Sequence, residues 1–180
     1  MLRAYTGRAA LAGHMASDRL DLLLFHAYFI AEDPREQEIM RPFAPLGMQY
    51  IVAWLRRAGF HAVDWWDSTF HAGPGELHRH VADTNPRVVG LYGHTLTRPT
   101  ALPMIAQCLS EGRRTIAGGP DPVQYLEEYL SGGVEVVVVG EGEQTMEALL
   151  RHLRANAWSW DRATLHDIPG IAFMDEGRIV

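Results

Sequence analysis

"RRTIAGGPDPVQYLEEYLSGGVEVVVVGEGEQT", residues 113–145, is the stretch of sequence that decides the fold. Two short apolar runs each end in a pair of glycines, Gly118 with Gly119 and Gly140 with Gly142. A more polar segment that suits a helix separates the runs. Glycine adopts the backbone angles that tight turns need, so this pattern is typical of strands that turn sharply into helices.

The same pattern repeats along the chain from residue 19. Five apolar runs that favour β-structure lie at residues 19–28, 60–67, 87–95, 113–119 and 134–140. Helical patterns follow them at residues 46–58, 74–84, 97–111, 122–130 and 143–154. Strands that are apolar throughout and alternate with helices form a parallel sheet covered on both faces. The sequence therefore predicts a doubly wound α/β fold with a five-stranded parallel sheet.

Both ends of the chain differ from this pattern. Residues 1–17 lack a continuous apolar core and end in "HMAS", which is typical of a cloning junction or a second start, so we expect a leader or cloning-derived segment there. The domain itself is expected at residues 18–156. Residues 157–180 are predicted as a linker with a hairpin that turns near residues 175–177 and leads away from the doubly wound unit.

Composition excludes several classes of partner and site. The net charge is −6, the chain has no lysine and no arginine run exceeds two residues, so we expect no nucleic-acid partner. The apolar runs are far shorter than the roughly 20 residues of a membrane span, so we expect no membrane insertion. Cys108 is the single cysteine, which excludes an internal disulfide and a cysteine-ligated cluster built from this chain alone. We predict a cytoplasmic protein without a metal site of its own.

The glycines predict a binding edge. Ligands of doubly wound folds bind beyond the carboxyl ends of the strands, and a flat ligand there needs close approach to the backbone. The simpler interpretation, that a glycine only allows a sharp turn, stays equally open for any single position. Common nucleotide sites do not fit, because no G-x-G-x-x-G follows the first strand and no G-x-x-x-x-G-K-[ST] occurs.

Four motifs occur in an order that resembles one family. They are "PLG" at residues 45–47, "RVVGLYGHT" at 87–95, "AGGPDP" at 117–122 and "VVVVGEGEQT" at 136–145. Their order and spacing are similar to those of the amino-terminal cobalamin-binding domain of cobalamin-dependent radical SAM enzymes, over residues 21–180. The resemblance implies a flavodoxin-like (Rossmann-like) fold with the corrin ring on the carboxyl edge of the sheet and the nucleotide tail inserted alongside it.

The resemblance also implies a set of cofactor-binding residues. The glycine–proline turn would line the channel of the tail, residues after the third strand would lie near the tail or the lower face of the ring, and the "GEGE" turn would form the other wall. For Glu143 and Thr97, a role at a helix terminus stays open beside a cofactor contact. No catalytic residue is predicted. The cofactor-binding candidates are Pro45, Gly47, Tyr92, Gly93, His94, Thr95, Thr97, Gly118, Gly119, Pro120, Gly140, Glu141, Gly142 and Glu143.

A histidine ligand to cobalt is not expected. Many cobalamin proteins supply one from a D-x-H-x-x-G loop after the first strand, and that motif is absent. The segment "DSTFHAG" at residues 67–73 follows the second strand and has different spacing. His26 and His94 stay open as lower ligands, with an ordinary loop role as the alternative for each. The resemblance implies cobalamin bound without histidine ligation.

The resemblance implies a role within a larger enzyme. In that family a second domain with three cysteines holds a [4Fe–4S] cluster that cleaves S-adenosylmethionine, and cobalamin typically carries a methyl group. A chain with one cysteine cannot hold that cluster, so we expect a non-catalytic cofactor domain that works with a radical SAM domain in cis or in trans, reached through residues 157–180. Two alternatives stay open. One is a stand-alone corrinoid carrier or sensor, and the other is a degenerate domain that binds a protein partner or another small molecule, for which the bulky Tyr92 and the adjacent His94 are the argument.

Overall fold

The computed structural model of the chain describes residues 19–39 and 44–180. The predicted leader at residues 1–17 lies outside the described residues. The strands are β1 (Leu22–His26), β2 (Val63–Trp66), β3 (Val88–Tyr92), β4 (Arg114–Gly118), β5 (Val136–Val138), β6 (Ile171–Asp175) and β7 (Arg178–Ile179). The helices are α1 (Glu36–Ile39), α2 (Leu46–Arg57), α3 (Pro74–Thr84), α4 (Arg98–Ser110), α5 (Pro120–Gln124), α6 (Leu126–Ser131), α7 (Gly142–Ala155) and α8 (Arg162–Leu165). Two single 3-10 turns lie at Ile30–Glu32 and Thr95–Thr97.

The strands form one sheet in the order β2-β1-β3-β4-β5-β6-β7. Strands β1 to β5 are parallel, which confirms the predicted doubly wound α/β class with the strand order of flavodoxin-like folds. The described residues contribute seven strands to the sheet rather than the predicted five, because β6 pairs antiparallel with β5 and β7 pairs antiparallel with β6. The predicted hairpin therefore extends the sheet and does not lead away from it.

Helices cover both faces of the sheet. Successive strand residues point to opposite faces, so each strand contributes side chains to both layers of the core. On one face Leu24 packs in a cluster with Met48 of α2 and Leu149 of α7. On the other face Leu23 packs in a cluster that includes Leu77 of α3. All five of these side chains are at most 5% exposed. The site described below lies on the face that α2 and α7 cover.

Two local features refine the predicted helices. The helix expected at residues 122–130 is divided into α5 and α6 at Tyr125, whose φ of −122° and ψ of 48° are not helical. Pro103 lies inside α4, within the helix that the sequence predicted. Among the residues that the structure describes, no helix is both long and apolar enough to cross a membrane.

Candidate functional site

A cleft of about 180 Å³ opens at the carboxyl edge of the sheet, between the strand ends and the first turns of α2 and α7. Parallel pairing forms its floor, because the register places Leu24 beside Gly90 and Gly90 beside Ile116. The same register brings Tyr92 next to Gly118 at the mouth. The cleft is lined by Leu24, Gly47, Met48, Ile51, Gly90, Leu91, Tyr92, Ile116, Ala117, Gly118, Gly119, Val138, Gly140, Glu141, Gly142, Glu143 and Met146.

Glycines keep the walls of this cleft free of side chains. A Cβ atom on Gly118 would meet only Val138, at 3.7 Å, and a Cβ atom on Gly140 would have no described atom within 4 Å. A Cβ atom on Gly142 would lie 2.9 Å from Cδ1 of Ile51, which is tighter than ordinary packing. Gly140 also has a φ of 87°, a left-handed conformation that glycine adopts readily. Among the described residues, Gly140 borders open space, and Gly118 leaves room for a side chain in ordinary contact with Val138.

Eight of the predicted site residues line the cleft together. They are Gly47, Tyr92, Gly118, Gly119, Gly140, Glu141, Gly142 and Glu143. Six predicted residues lie outside its lining: Pro45, Gly93, His94, Thr95, Thr97 and Pro120. Thr97 is buried, and its hydroxyl donates to the carbonyl oxygen of His94 at 2.9 Å, so it shapes the turn after β3. Glu143 lies both in the first turn of α7 and in the lining, so both of its interpretations fit.

Glycines at strand ends did not predict the apolar floor of the cleft. Gly90 lies in the middle of β3, where a Cβ atom would overlap Cδ2 of Leu24. The sequence signal was a single glycine inside an otherwise apolar strand, which often marks close approach of another group. Met48, Ile51 and Met146 complete the apolar lining from the two helices. Apolar spacing at three and four residues places Ile51 and Met146 on the packed faces of their helices, but it does not predict that they face a cleft.

A wider groove of about 600 Å³ lies between α2 and α7 beside the cleft. The two spaces share Glu141 and Glu143. The indole of Trp54 donates to Glu147 Oε2 at 2.7 Å, which ties α2 to α7 beside the groove. The remaining lining residues of the groove are Tyr50, Ala53, Arg57, Gln144 and Thr145.

Within the described residues, both ring nitrogens of His26 have partners, whereas His94 is held through Nδ1 alone. His26 is buried, its Nε2 lies 2.9 Å from Asp67 Oδ1, and its Nδ1 accepts from the backbone N–H of Tyr28 at 3.3 Å. Burial alone would raise the pKa of Asp67, but hydrogen bonds from His26 and Thr69 hold that pKa below its ordinary value. His94 is exposed, and its Nδ1 accepts from the N–H of Leu96 at 3.4 Å. Within residues 19–39 and 44–180, no three metal-ligating side chains are grouped.

Large apolar side chains are exposed where the strands end. Leu46 begins α2 and is 61% exposed, and Tyr92 ends β3 and is 40% exposed. Leu96 follows β3 at 80% exposure, and Val139 follows β5 at 38%. Exposed apolar side chains that are grouped at one edge commonly mark a surface that binds a ligand or a partner.

Comparisons with known proteins identify the family of the chain and agree with its fold. A family model described as the B12 binding domain matches residues 38–150. The fold is similar to that of the cobalamin-dependent S-adenosylmethionine radical enzyme OxsB with aqua-cobalamin bound, with a TM-score of 0.70 and 16% identity over 89% of this chain and 22% of that chain. OxsB with aqua-cobalamin and S-adenosylmethionine bound gives a TM-score of 0.68 and 17% identity over the same shares. The chain thus spans 22% of the length of these structures. No curated protein matches the chain in sequence.

Proposed function

This chain belongs to the family of B12-binding domains, and from that membership we propose that it holds cobalamin on the carboxyl edge of its sheet with the nucleotide tail in the cleft. The observation that carries the proposal is the open, glycine-walled cleft of about 180 Å³. A dry cavity of about 150 Å³ accommodates benzene. The cleft therefore has room for an aromatic ring, and because it opens at the carboxyl edge, a larger base could enter it in part.

The residues around the cleft suit the other parts of the cofactor. Apolar side chains of Leu24, Ile116 and Met146 offer the faces against which a flat base can pack. The exposed side chains of Leu46 and Tyr92 lie at the rim, where a broad ring would cover apolar surface that is now in water. The carboxyl edge thus provides separate surfaces for the ring and for the tail.

We propose that no histidine of the described chain ligates the cobalt. His26 is engaged by Asp67, and His94 accepts a hydrogen bond from its own turn. When bound, cobalamin supplies methyl-transfer or related radical chemistry, and the residues of this chain orient it and shield its tail from water. With its base held in the cleft, the bound cofactor would show the spectrum of a cobalamin that has neither its own base nor a histidine as a ligand.

We further propose that the partner of this chain is a radical SAM domain, in cis or in trans. The likeness to OxsB supports the proposal at the level of the fold. Cys108, the single cysteine, is 1% exposed and has its thiol pKa raised by burial to about 11, which suits packing and not cluster ligation. Incubated anaerobically with iron, sulfide, a reductant and S-adenosylmethionine, this chain should form no 5′-deoxyadenosine. Formation of 5′-deoxyadenosine by this chain alone would refute the proposal that a separate radical SAM domain cleaves S-adenosylmethionine.

A degenerate domain that has lost cobalamin is less well supported. Such a domain is expected to fill the space beside the glycine turns with its own side chains. Tyr92 does lie against Gly119, where a Cβ atom would be 3.1 Å from Cε2 of the ring. Among the described residues, no side chain fills the space beside Gly140, and Val138 makes only ordinary contact with a Cβ atom on Gly118. The cleft therefore favours retention of the cofactor.

Parallel titrations with hydroxocobalamin and with cobinamide, which lacks the nucleotide tail, test the proposed binding mode. Equilibrium dialysis gives both dissociation constants, and the absorption spectrum reports whether the base coordinates cobalt. We expect cobalamin to bind more tightly than cobinamide, with the spectrum of the form whose base is displaced. No binding of either corrinoid would refute the proposed function, and equal affinities would refute the placement of the tail.

A further inference from the structure

A buried ion pair lies behind the loops that form one wall of the cleft. Arg98 is the first residue of α4, and its Nε and Nη2 donate to the two carboxylate oxygens of Asp121 at 2.8 and 2.7 Å. The hydroxyl of Tyr129 donates to Asp121 Oδ2 at 2.7 Å. The side chain of Asp121 has no exposed surface, and Tyr129 is 0% exposed. A bidentate pair of this kind fixes both the distance and the angle between its two partners.

Two further side chains hold the guanidinium in place. Its Cζ lies 3.6 Å from the ring centroid of Tyr125, the residue that divides α5 from α6. Its Nη1 donates to Glu128 at 2.8 Å. The hydrogen bonds from Arg98, above all, hold the pKa of Asp121 below its ordinary value, with smaller contributions from Tyr129 and Thr95. The pair therefore stays ionised at neutral pH.

This cluster meets the cleft loops through close backbone packing. A Cβ atom on Gly93 would lie 2.5 Å from Pro122 and 2.9 Å from the hydroxyl oxygen of Tyr129. The N–H of Gly93 donates to the carbonyl oxygen of Gly118 at 2.8 Å. A Cβ atom on Gly119 would lie 2.7 Å from the carbonyl oxygen of Gly93. The loops after β3 and β4 are thus pressed against each other and against Tyr129.

We infer that Arg98 and Asp121 are positioning residues for the cofactor, an inference that rests on the proposed function. Neither side chain lines the cleft. They act on Tyr92 and Gly118, which do line it, by fixing the start of α4 relative to the start of α5. A buried ion pair is seldom more stabilising than apolar packing of the same volume. Its value here is the geometry that it adds to the backbone hydrogen bond between Gly93 and Gly118, because it fixes the helices that follow the two loops.

The test compares Arg98→Met with Arg114→Met. Arg114 begins the strand that Gly118 ends, and its Nη1 donates to Glu135 at 2.8 Å, so the control removes an ion pair at the opposite edge of the sheet. We expect Arg98→Met to weaken cobalamin binding about tenfold or more, because small misplacements of positioned groups are costly. The visible circular dichroism of the bound cofactor should change as well. Arg114→Met should leave both unchanged.

Hydrogen exchange on the ligand-free proteins separates this inference from the proposed function. In the Arg98→Met protein, the backbone amides of residues 92–97 and 118–119 should exchange faster than in the parent chain. In the Arg114→Met protein, their exchange rates should be unchanged. Tyr129→Phe, which removes only one hydroxyl, is the milder variant if Arg98→Met does not fold, and it should shift affinity and exchange in the same direction. Unchanged exchange and unchanged affinity in a folded Arg98 or Tyr129 variant would overturn the inference. Failure of the parent chain to bind cobalamin would instead refute the proposed function, and the inference would then fall with it.

Discussion

Replacing Gly118 by leucine should block the cleft without harming the fold. Gly118 ends β4, and alternation along the strand places a side chain there on the same face as Ile116, which lines the cleft floor. A Cβ atom would make ordinary contact with Val138 at 3.7 Å, and the backbone is not in the left-handed region. A four-carbon side chain then occupies much of a space of about 180 Å³.

The expected loss of affinity follows from the surface that the base can no longer bury. A flat aromatic group buries about 150 Å² of surface, which at about 25 cal/mol per Å² is worth roughly 4 kcal/mol. At about 1.4 kcal/mol for each factor of ten, cobalamin binding should weaken about a thousandfold. Because glycine weakens a strand, the free energy of unfolding should stay the same or rise by about 0.5–1 kcal/mol.

Cobinamide and a second glycine variant provide the controls. Cobinamide has no tail to place in the cleft, so Gly118→Leu should lower its affinity far less than that of cobalamin. Gly75→Leu adds the same side chain to α3, where a Cβ atom would meet no described atom within 4 Å and which is outside the cleft lining, so it should bind both corrinoids normally. Unaltered cobalamin binding by a folded Gly118→Leu protein would refute the placement of the tail.

Three further predictions concern titrating groups. Arg98 lowers the pKa of Asp121, so Asp121 stabilises the fold above its unfolded pKa of about 4 and loses that effect as the pH falls through its lower folded pKa. Urea unfolding should therefore show that Asp121→Asn costs less at pH 3 than at pH 7, and equal costs would count against the pair. Burial lowers the pKa of His80, so the fold loses stability as the pH falls below about 6.5. His80→Gln should lose less stability than the parent chain between pH 7 and pH 5, and an identical profile would argue against a buried neutral ring. Burial raises the pKa of the Cys108 thiol to about 11, so iodoacetamide should modify it far more slowly in the native protein than in urea; similar rates would show that the thiol is accessible.

The class of fold could be predicted because it depends on local pattern. Apolar runs that alternate with helices leave few arrangements, since crossovers between parallel strands are right-handed. The place of the carboxy-terminal hairpin could not be predicted in this way. Ile171 pairs with Val138, more than thirty residues earlier in the chain, and no local signal specifies that contact.

The candidate site, too, could be predicted from the sequence only in part. Glycines at strand ends predicted the rim of the cleft, because close approach to backbone leaves a residue-type signature. The ion pair of Arg98 and Asp121 left no such signature, because its partners are 23 residues apart and are joined only by the packing of two loops. The rim of the cleft could thus be predicted from residue type and order, whereas the residues that hold its loops in place required the structure.

The most direct test of the central claim is the broadening of backbone amide NMR signals by bound cob(II)alamin, with diamagnetic hydroxocobalamin as reference. The unpaired electron on cobalt broadens the signals of nearby amides. A five-residue strand such as β4 separates its amino end from its carboxyl end by about 16 Å. The account predicts strong broadening at Tyr92, Gly119 and Gly140, with little at Arg87 and Arg113 near the amino ends of β3 and β4. Broadening centred on those arginines, or none at the carboxyl edge under saturating cofactor, would contradict it.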